Sequence, residues 1–284
     1  MGRGKSGSTI LGVALGNCSE IFFAGELASW LLTGGEPNLG GAERLQFWDR
    51  VREDVGGELF GSEAFHHLER ALSVFRPDRW ALRRRLRARY QGVTEDLYRS
   101  IARRAGATHI VDSSHLPMRA RELQRLSGID LYLVFMVRNT ESIVASYTRG
   151  RKRPKVRFFM TNGRLWVTYA LSVYVFLRQR ADRRLLLRYE DFVANADGFL
   201  REILEFVGSS AEVPNLESLN TGIPLKGNPL IRTEVVALKA QAPSPHRTSL
   251  LMRLAERPWA LVLKRLHPAA TGARSRPPVS TDPG

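Results

Sequence analysis

Four short β-rich apolar runs, at 21–24, 109–111, 131–137 and 185–187, are separated by longer segments with helical spacing. The helical segments fall at about 8–16, 43–55, 62–74, 79–105, 116–126, 140–149, 163–181 and 196–207. Strands spaced by helices predict βαβ units and a parallel sheet. In an open parallel sheet, ligands bind beyond the carboxyl ends of the strands. Here those ends are polar: Gly25-Glu26, Asp112-Ser113-Ser114, Arg138, and Arg188-Tyr189-Glu190-Asp191. The alternation therefore predicts a rim to which four strands deliver polar groups. The basic stretch 149–164 is expected to be a loop, and 209–246, interrupted by five prolines, to be mostly irregular. An amphipathic helix fits 247–266, and the Pro-, Ser-, Thr- and Gly-rich residues 267–284 are expected to be a disordered tail behind a single domain over 1–266.

Composition narrows the chemistry. The 284 residues are 43% hydrophobic, which suffices for a substantial core. The formal net charge of +15 predicts anionic partners, although the dominance of Arg over Lys is also what a G- and C-rich genome produces. Cys18 is the single cysteine, which excludes an intramolecular disulfide and a cysteine zinc site and fits a reducing, cytoplasmic setting. No apolar run approaches the ~20 residues of a membrane-spanning helix. The run at 10–15 is too short for a signal peptide and is interrupted by Asn17, Ser19 and Glu20. Peripheral contact with an anionic membrane stays open.

The first residues read Gly2-Arg3-Gly4-Lys5-Ser6-Gly7-Ser8-Thr9, directly before a helix. Glycines let backbone N–H groups close on an anion, and a helix N-terminus adds partial positive charge. Lys5 contributes a cation; Ser8 and Thr9 contribute hydroxyls. A flexible polar N-terminus is the plainer alternative. The ATP-type loop needs a glycine five residues before Gly4, and that pattern is absent. In "VFMVRNTESIVASYTR", Arg138 closes a strand and Ser146 lies eight residues on, so both can reach one phosphate.

Lys5-Ser6-Gly7-Ser8-Thr9 resembles the phosphosulfate loop of the sulfotransferases that use 3′-phosphoadenosine 5′-phosphosulfate (PAPS). Arg138 and Ser146 resemble that family's 3′-phosphate motif, and "LLLRYEDF" its Arg-Tyr-Glu-Asp segment, which implies that Tyr189 approaches adenine. "DSSHLPMRA" is similar to an Asp-Ser-Ser-Lys-x-Pro-x-Arg segment of bacterial carbohydrate-type members, with His115 in place of Lys. "LKGNPLIR" resembles a further phosphate-binding segment, implying Lys226, Gly227 and Arg232 as ligands. The resemblance runs from residue 2 to about 232. It implies an α/β fold with a P-loop-type parallel sheet flanked by helices. The family's first strand is apparently missing before the phosphate loop; the reading adopted for that gap is a start assigned too far downstream.

The implied reaction moves a sulfuryl group from PAPS to a hydroxyl or amine acceptor, a carbohydrate or glycolipid among the candidates, without a metal. Gly4, Lys5, Ser6, Gly7, Ser8 and Thr9 would hold the phosphosulfate, and Lys5 would stabilise the departing oxygen. Glu26 is the first candidate for general base, with His66, His67 and His115 as alternatives and helix capping as the structural reading of Glu26. Capping is also the preferred reading of Glu190 and Asp191. Two rival functions remain: a P-loop small-molecule kinase with Asp112 as a Mg²⁺ ligand, and a nucleic-acid-binding protein using "RWALRRRLRARYQ" and "RGRKRPKVR". No nucleic-acid partner is expected on the preferred reading.

Overall fold

The structure, a computed structural model, describes residues 6–56, 62–71, 76–139, 154–238 and 262. All four anticipated strands are present, each offset from its expected span by only one or two residues at an end. β1 (Ile21–Gly25) pairs in parallel with β2 (His109–Asp112), in the register Ile21↔His109 and Gly25↔Asp112. β3 (Leu133–Val137) pairs in parallel with β4 (Arg184–Arg188), in the register Leu133↔Arg184 and Val137↔Arg188. Within each pair the carboxyl ends therefore coincide. Glu26 emerges beside Ser113, and Arg138 beside Tyr189.

The strand pairing is parallel, as expected, in both of these pairs. Among the described residues the strands form two separate parallel pairs and a small antiparallel pair, β5 (Leu219–Asn220) with β6 (Val235–Val236). A cavity of about 580 Å³ is lined by residues of both β2 and β3. Ile110, Val111, Leu133 and Val134 face it from the strands, and Leu11 and Leu15 from the helix above. Whether a strand precedes the loop falls on residues outside those described.

Helices surround the pairs. α1 (Ser8–Gly16) buries Leu11 through Leu15 against β1. α2 (Trp30–Thr33) and α3 (Ala42–Val55) follow. α4 (Ser62–Ala64) continues as a π-helical turn, Phe65–Glu69, so the helix expected over 62–74 is shorter and wider than anticipated. α5 (Trp80–Ala105) stops at Gly106, whose φ of 62° ends it in the left-handed conformation. α6 (Pro117–Leu123) begins on a proline, which at this position forfeits no helical hydrogen bond. α7 (Pro154–Leu177) corrects the loop expected over 149–164: from Pro154 onward the chain is helical. Lys and Arg are good helix formers, so a basic run does not oppose a helix. α8 (Tyr189–Ala194) and α9 (Ala196–Val207) complete the set, with the Asn195 side chain accepting a bond from the Gly198 N–H at 3.2 Å to cap α9.

Two cores result. One packs α1 with β3, β4, α8 and α9 around Leu15, Met136, Leu187, Phe192 and Ile203. The other gathers Leu27, Trp30, Trp48, Tyr90, Leu97 and Ile101 from the α2, α3 and α5 side. Residues 209–238 are largely irregular, as expected, yet they have a task. Leu225 donates to the Ala24 carbonyl at 3.0 Å, Gly25 bridges Lys226 in parallel, and Glu26 N–H donates to the Lys226 carbonyl at 2.7 Å. At Gly25 a Cβ would strike that carbonyl, and φ is +78°, so glycine is required there. The expected helix at 140–149, the tail 267–284 and all of the helix expected at 247–266 except residue 262 lie outside the described residues.

Candidate functional site

The loop enters α1 through Gly7, at φ +100°. A Cβ on Gly7 would collide with the Tyr189 ring, which packs directly over the turn. The Arg138 guanidinium lies 4.2 Å from the centre of the same ring, in cation–π contact. Val137↔Arg188 pairing explains this convergence: Arg138 and Tyr189 are the next residues on two parallel strands. Three residues expected to bind one nucleotide, from three segments of the chain, thus meet in a single stack. Ser6 is buried, and Ser8 and Thr9 are half-buried at the start of α1. Gly4, Lys5 and Ser146 lie outside the described residues.

Glu190 stands with Asp191 in the first turn of α8. Its carboxylate accepts the Asn139 backbone N–H at 2.9 Å and so fastens the chain just past Arg138. Asp191 lies 3.9 Å from the Arg188 guanidinium, a surface pair.

Glu26 sits where β1 ends. It occupies the position before a short 3₁₀ turn, Leu27–Ser29, but its side chain makes no capping bond, so the capping alternative is not what the structure shows. Its carbonyl accepts the Ser29 hydroxyl at 2.6 Å, and its N–H is held by Lys226. Burial pushes the Glu26 carboxyl above the ordinary carboxylate value; the Lys226 charge pulls it down and the Asp112 charge pushes it up. A half-buried carboxylate of raised proton affinity at a strand end is suited to accepting a proton. Lys226 is carried to this group by its pairing with Gly25; Gly227 follows it against Ile231, and Arg232 is exposed at the end of the turn Pro229–Arg232.

Behind Glu26 lies a buried network that the sequence reading did not assign. Asp112 Oδ1 accepts the N–H groups of Leu27 at 3.3 Å and Ser114 at 2.8 Å. Its Oδ2 accepts the Tyr98 hydroxyl at 2.7 Å and Arg119 Nε at 2.9 Å. Burial alone would raise the Asp112 carboxyl, but Arg119 and the bonds from Ser114 and Tyr98 outweigh it and hold it below its ordinary value. Arg119, 2% exposed, also binds the fully buried Glu69, which accepts the Tyr90 hydroxyl at 2.7 Å. The seven-residue separation of Asp112 and Arg119 in "DSSHLPMRA" was the available signal. Tyr98 and Glu69 come from elsewhere in the chain and left none.

This saturation bears on the kinase alternative. A carboxylate offers about four lone-pair sites, and those of Asp112 are taken by four protein donors. The Mg²⁺ ligand that reading needs is committed to structure, and no metal-binding cluster occurs among the described residues.

The three candidate histidines sit in different surroundings. His66 is exposed, with its ring edge-on to Phe65. His67 is buried, and Arg79 approaches its Nε2 at 3.2 Å; burial, then the Arg79 charge, lowers its proton affinity. His115 is half-buried one residue beyond Ser114. No helix among the described residues is long and apolar enough to cross a membrane.

The profile described as Sulfotransferase family matches residues 1–212. Among solved structures, the chain is similar to the sulfotransferase domain from the Synechococcus PCC 7002 olefin synthase, with a TM-score of 0.53, 20% identity, and coverage of 91% of this chain and 92% of that one. It is also similar to the sulfotransferase domain from the curacin biosynthetic pathway, with a TM-score of 0.52, 16% identity, and coverage of 90% and 94%. At these identities the likeness concerns the fold. No curated protein matches the sequence.

Proposed function

This chain belongs to the sulfotransferase family, and from that premise we propose that it transfers the sulfuryl group of PAPS to a hydroxyl or amine acceptor without a metal. The observation that carries this reading is the stack of Gly7, Tyr189 and Arg138. A left-handed glycine opens the loop backbone at a helix N-terminus, an aromatic ring covers it, and a cation borders the ring. A purine, a phosphate chain and a second phosphate need those three surfaces.

PAPS supplies the sulfuryl group and leaves as adenosine 3′,5′-bisphosphate. The backbone from Gly4 to Thr9 holds the 5′ end, with Lys5 against the bridging oxygen. Arg138 and Ser146 hold the 3′-phosphate, Tyr189 contacts the adenine, and Lys226, Gly227 and Arg232 add contacts to the donor. Glu26 takes the acceptor's proton while the acceptor oxygen or nitrogen bonds to sulfur and the bridging S–O bond breaks. Positioning and fixed charge do most of the work, as in phosphoryl transfer. The basic segments 34–106 and 149–180, which flank the site residues in sequence, suit an anionic acceptor, with a glycan or glycolipid as the candidate class.

The test is calorimetry of adenosine 3′,5′-bisphosphate and adenosine 5′-phosphate in the presence of EDTA. The bisphosphate binds, and Arg138→Ala and Ser146→Ala each weaken it about 10- to 100-fold, the worth of a charge-assisted bond, while the 5′-monophosphate changes little. Alongside, Glu26→Gln retains bisphosphate affinity and loses about 10²- to 10⁴-fold in turnover. A folded protein with no affinity for the bisphosphate would sink the reading; normal turnover by Glu26→Gln would return the base to His66, His67 or His115.

A further inference from the structure

The residues after Glu26 are held with unusual completeness. Leu27 N–H donates to Asp112 Oδ1 at 3.3 Å, and Ala28 N–H to Ser114 Oγ at 2.8 Å. Glu26 N–H donates to Lys226, and Ser29 N–H returns to the Glu26 carbonyl at 3.1 Å. Every backbone donor from 26 to 29 is therefore fixed, while the Glu26 side chain caps nothing. Two of the four anchors come from the end of β2. Their foundation is Arg119, which locks Asp112 to Glu69 and to the hydroxyl of Tyr98 at 3.3 Å. The clamp thus spans β1, β2, α5, α6 and the π-helical turn.

We propose that Asp112, seated by Arg119 and Tyr98, is the positioning residue for Glu26, with Ser114 as its second hold on the same turn. The inference rests on Glu26 being the base. Asp112 acts in two ways. It fixes the turn from which the Glu26 carboxylate projects, and its buried charge opposes ionisation of Glu26, against the pull of Lys226 from the segment paired with β1. Among the described residues those two are the charged groups acting on Glu26; Arg119 and Glu69 stand behind Asp112.

The test uses Asp112→Asn, which keeps an oxygen for Leu27 and Ser114 but removes the charge. Glu26 is titrated directly by carbon NMR of glutamate-labelled protein, so this readout needs no acceptor. Its midpoint falls by about 1 pH unit in the variant, the scale of one nearby charge. Transfer from PAPS to methyl glucoside, an unactivated alcohol, with water as the background acceptor, supplies the kinetic arm: kcat drops about 10- to 100-fold from lost orientation, the acid limb of kcat/KM moves to lower pH, and bisphosphate affinity stays within about 2-fold. Ser114→Ala and Tyr98→Phe lower kcat but leave the acid limb in place, because they keep the charge. A merely structural role would instead leave the Glu26 midpoint unmoved and lower donor affinity and thermal stability together, which overturns the proposal. If Asp112→Asn does not fold, wild-type kcat in both Ser114→Ala and Tyr98→Phe overturns it. Normal turnover by Glu26→Gln overturns the base assignment and this inference with it. An inactive Glu26→Gln with an unshifted midpoint in Asp112→Asn overturns the positioning role alone.

Discussion

Gly7 and Glu26 do opposite things with one residue each. Gly7 matters for what it lacks. Its φ of +100° and the Tyr189 ring against its Cα leave no room for a side chain. Gly7→Ala is expected to cost about 1–2 kcal/mol from the left-handed backbone alone, with a further loss from the collision, measured by urea unfolding. Adding Tyr189→Ala should recover the collision part and leave the backbone part. Stability equal to wild type in Gly7→Ala would mean that the loop does not hold this turn in solution. Glu26 matters for what its surroundings do to it. Burial raises its proton affinity, and the base is the ionised form, so turnover rises with pH through a midpoint above the ordinary carboxylate range. The same shift means that the folded state holds a proton the unfolded chain has already released, so this group's contribution to stability declines as pH rises through that midpoint.

At the scale of elements, charged clamps join helices that apolar burial alone would leave free to slide. Asp54 on α3 accepts bonds from Ser100, Arg103 and Arg104 on α5, at 2.6 to 2.8 Å. The Arg104 and Ser100 bonds, then that of Arg103, hold its carboxyl well below the usual range. A depressed carboxylate stabilises above its unfolded value and loses that contribution as pH falls below about 4. Asp54→Asn should therefore lower the melting temperature at pH 7, and the gap to wild type should narrow progressively as the pH falls below about 4. A gap that persists unchanged at acid pH would show that shape, rather than charge, joins α3 to α5. The elements themselves were largely legible. The four strands and the helices over 8–16, 80–105 and 196–207 declare themselves through periodicity and through stops such as Gly106 and Gly208. Periodicity did not reveal that 154–163 is helical, because a basic run is silent about backbone geometry. The family resemblance, rather than spacing, implied that Arg138 and Tyr189 belong with the loop, and strand register sets the two side by side. The clamp behind Glu26 was illegible because Tyr98 and Glu69 reach Asp112 and Arg119 through tertiary packing that no local pattern encodes.

For the whole molecule, the question is what a net charge of +15 is for. Much of the acidic complement is spent on arginines, as in the pairs Arg87–Glu122, Arg201–Asp197 and Arg183–Asp130. The excess is therefore a surface field, and on α5 it is displayed by the exposed Arg84 and Arg85 beside Trp80, which is 64% exposed. Such a field speeds the arrival of an anionic nucleotide, but it also invites polyanions, so the enzyme and the nucleic-acid reading make different demands on salt. A single nucleotide displaces few counterions, whereas a polymer crossing an Arg-rich face releases about 0.9 per phosphate neutralised. The bisphosphate should bind with a shallow dependence on salt, and a labelled DNA duplex should lose its affinity steeply and compete poorly at about 150 mM, the physiological range. Arg84→Glu combined with Arg85→Glu should abolish what duplex binding there is and leave the bisphosphate unaffected, because neither residue belongs to the stack of Gly7, Tyr189 and Arg138. A duplex that binds tightly at physiological salt and displaces the bisphosphate would mean that the nucleotide site and the basic helix serve one polymer, and the +15 would then be the function rather than the field around it.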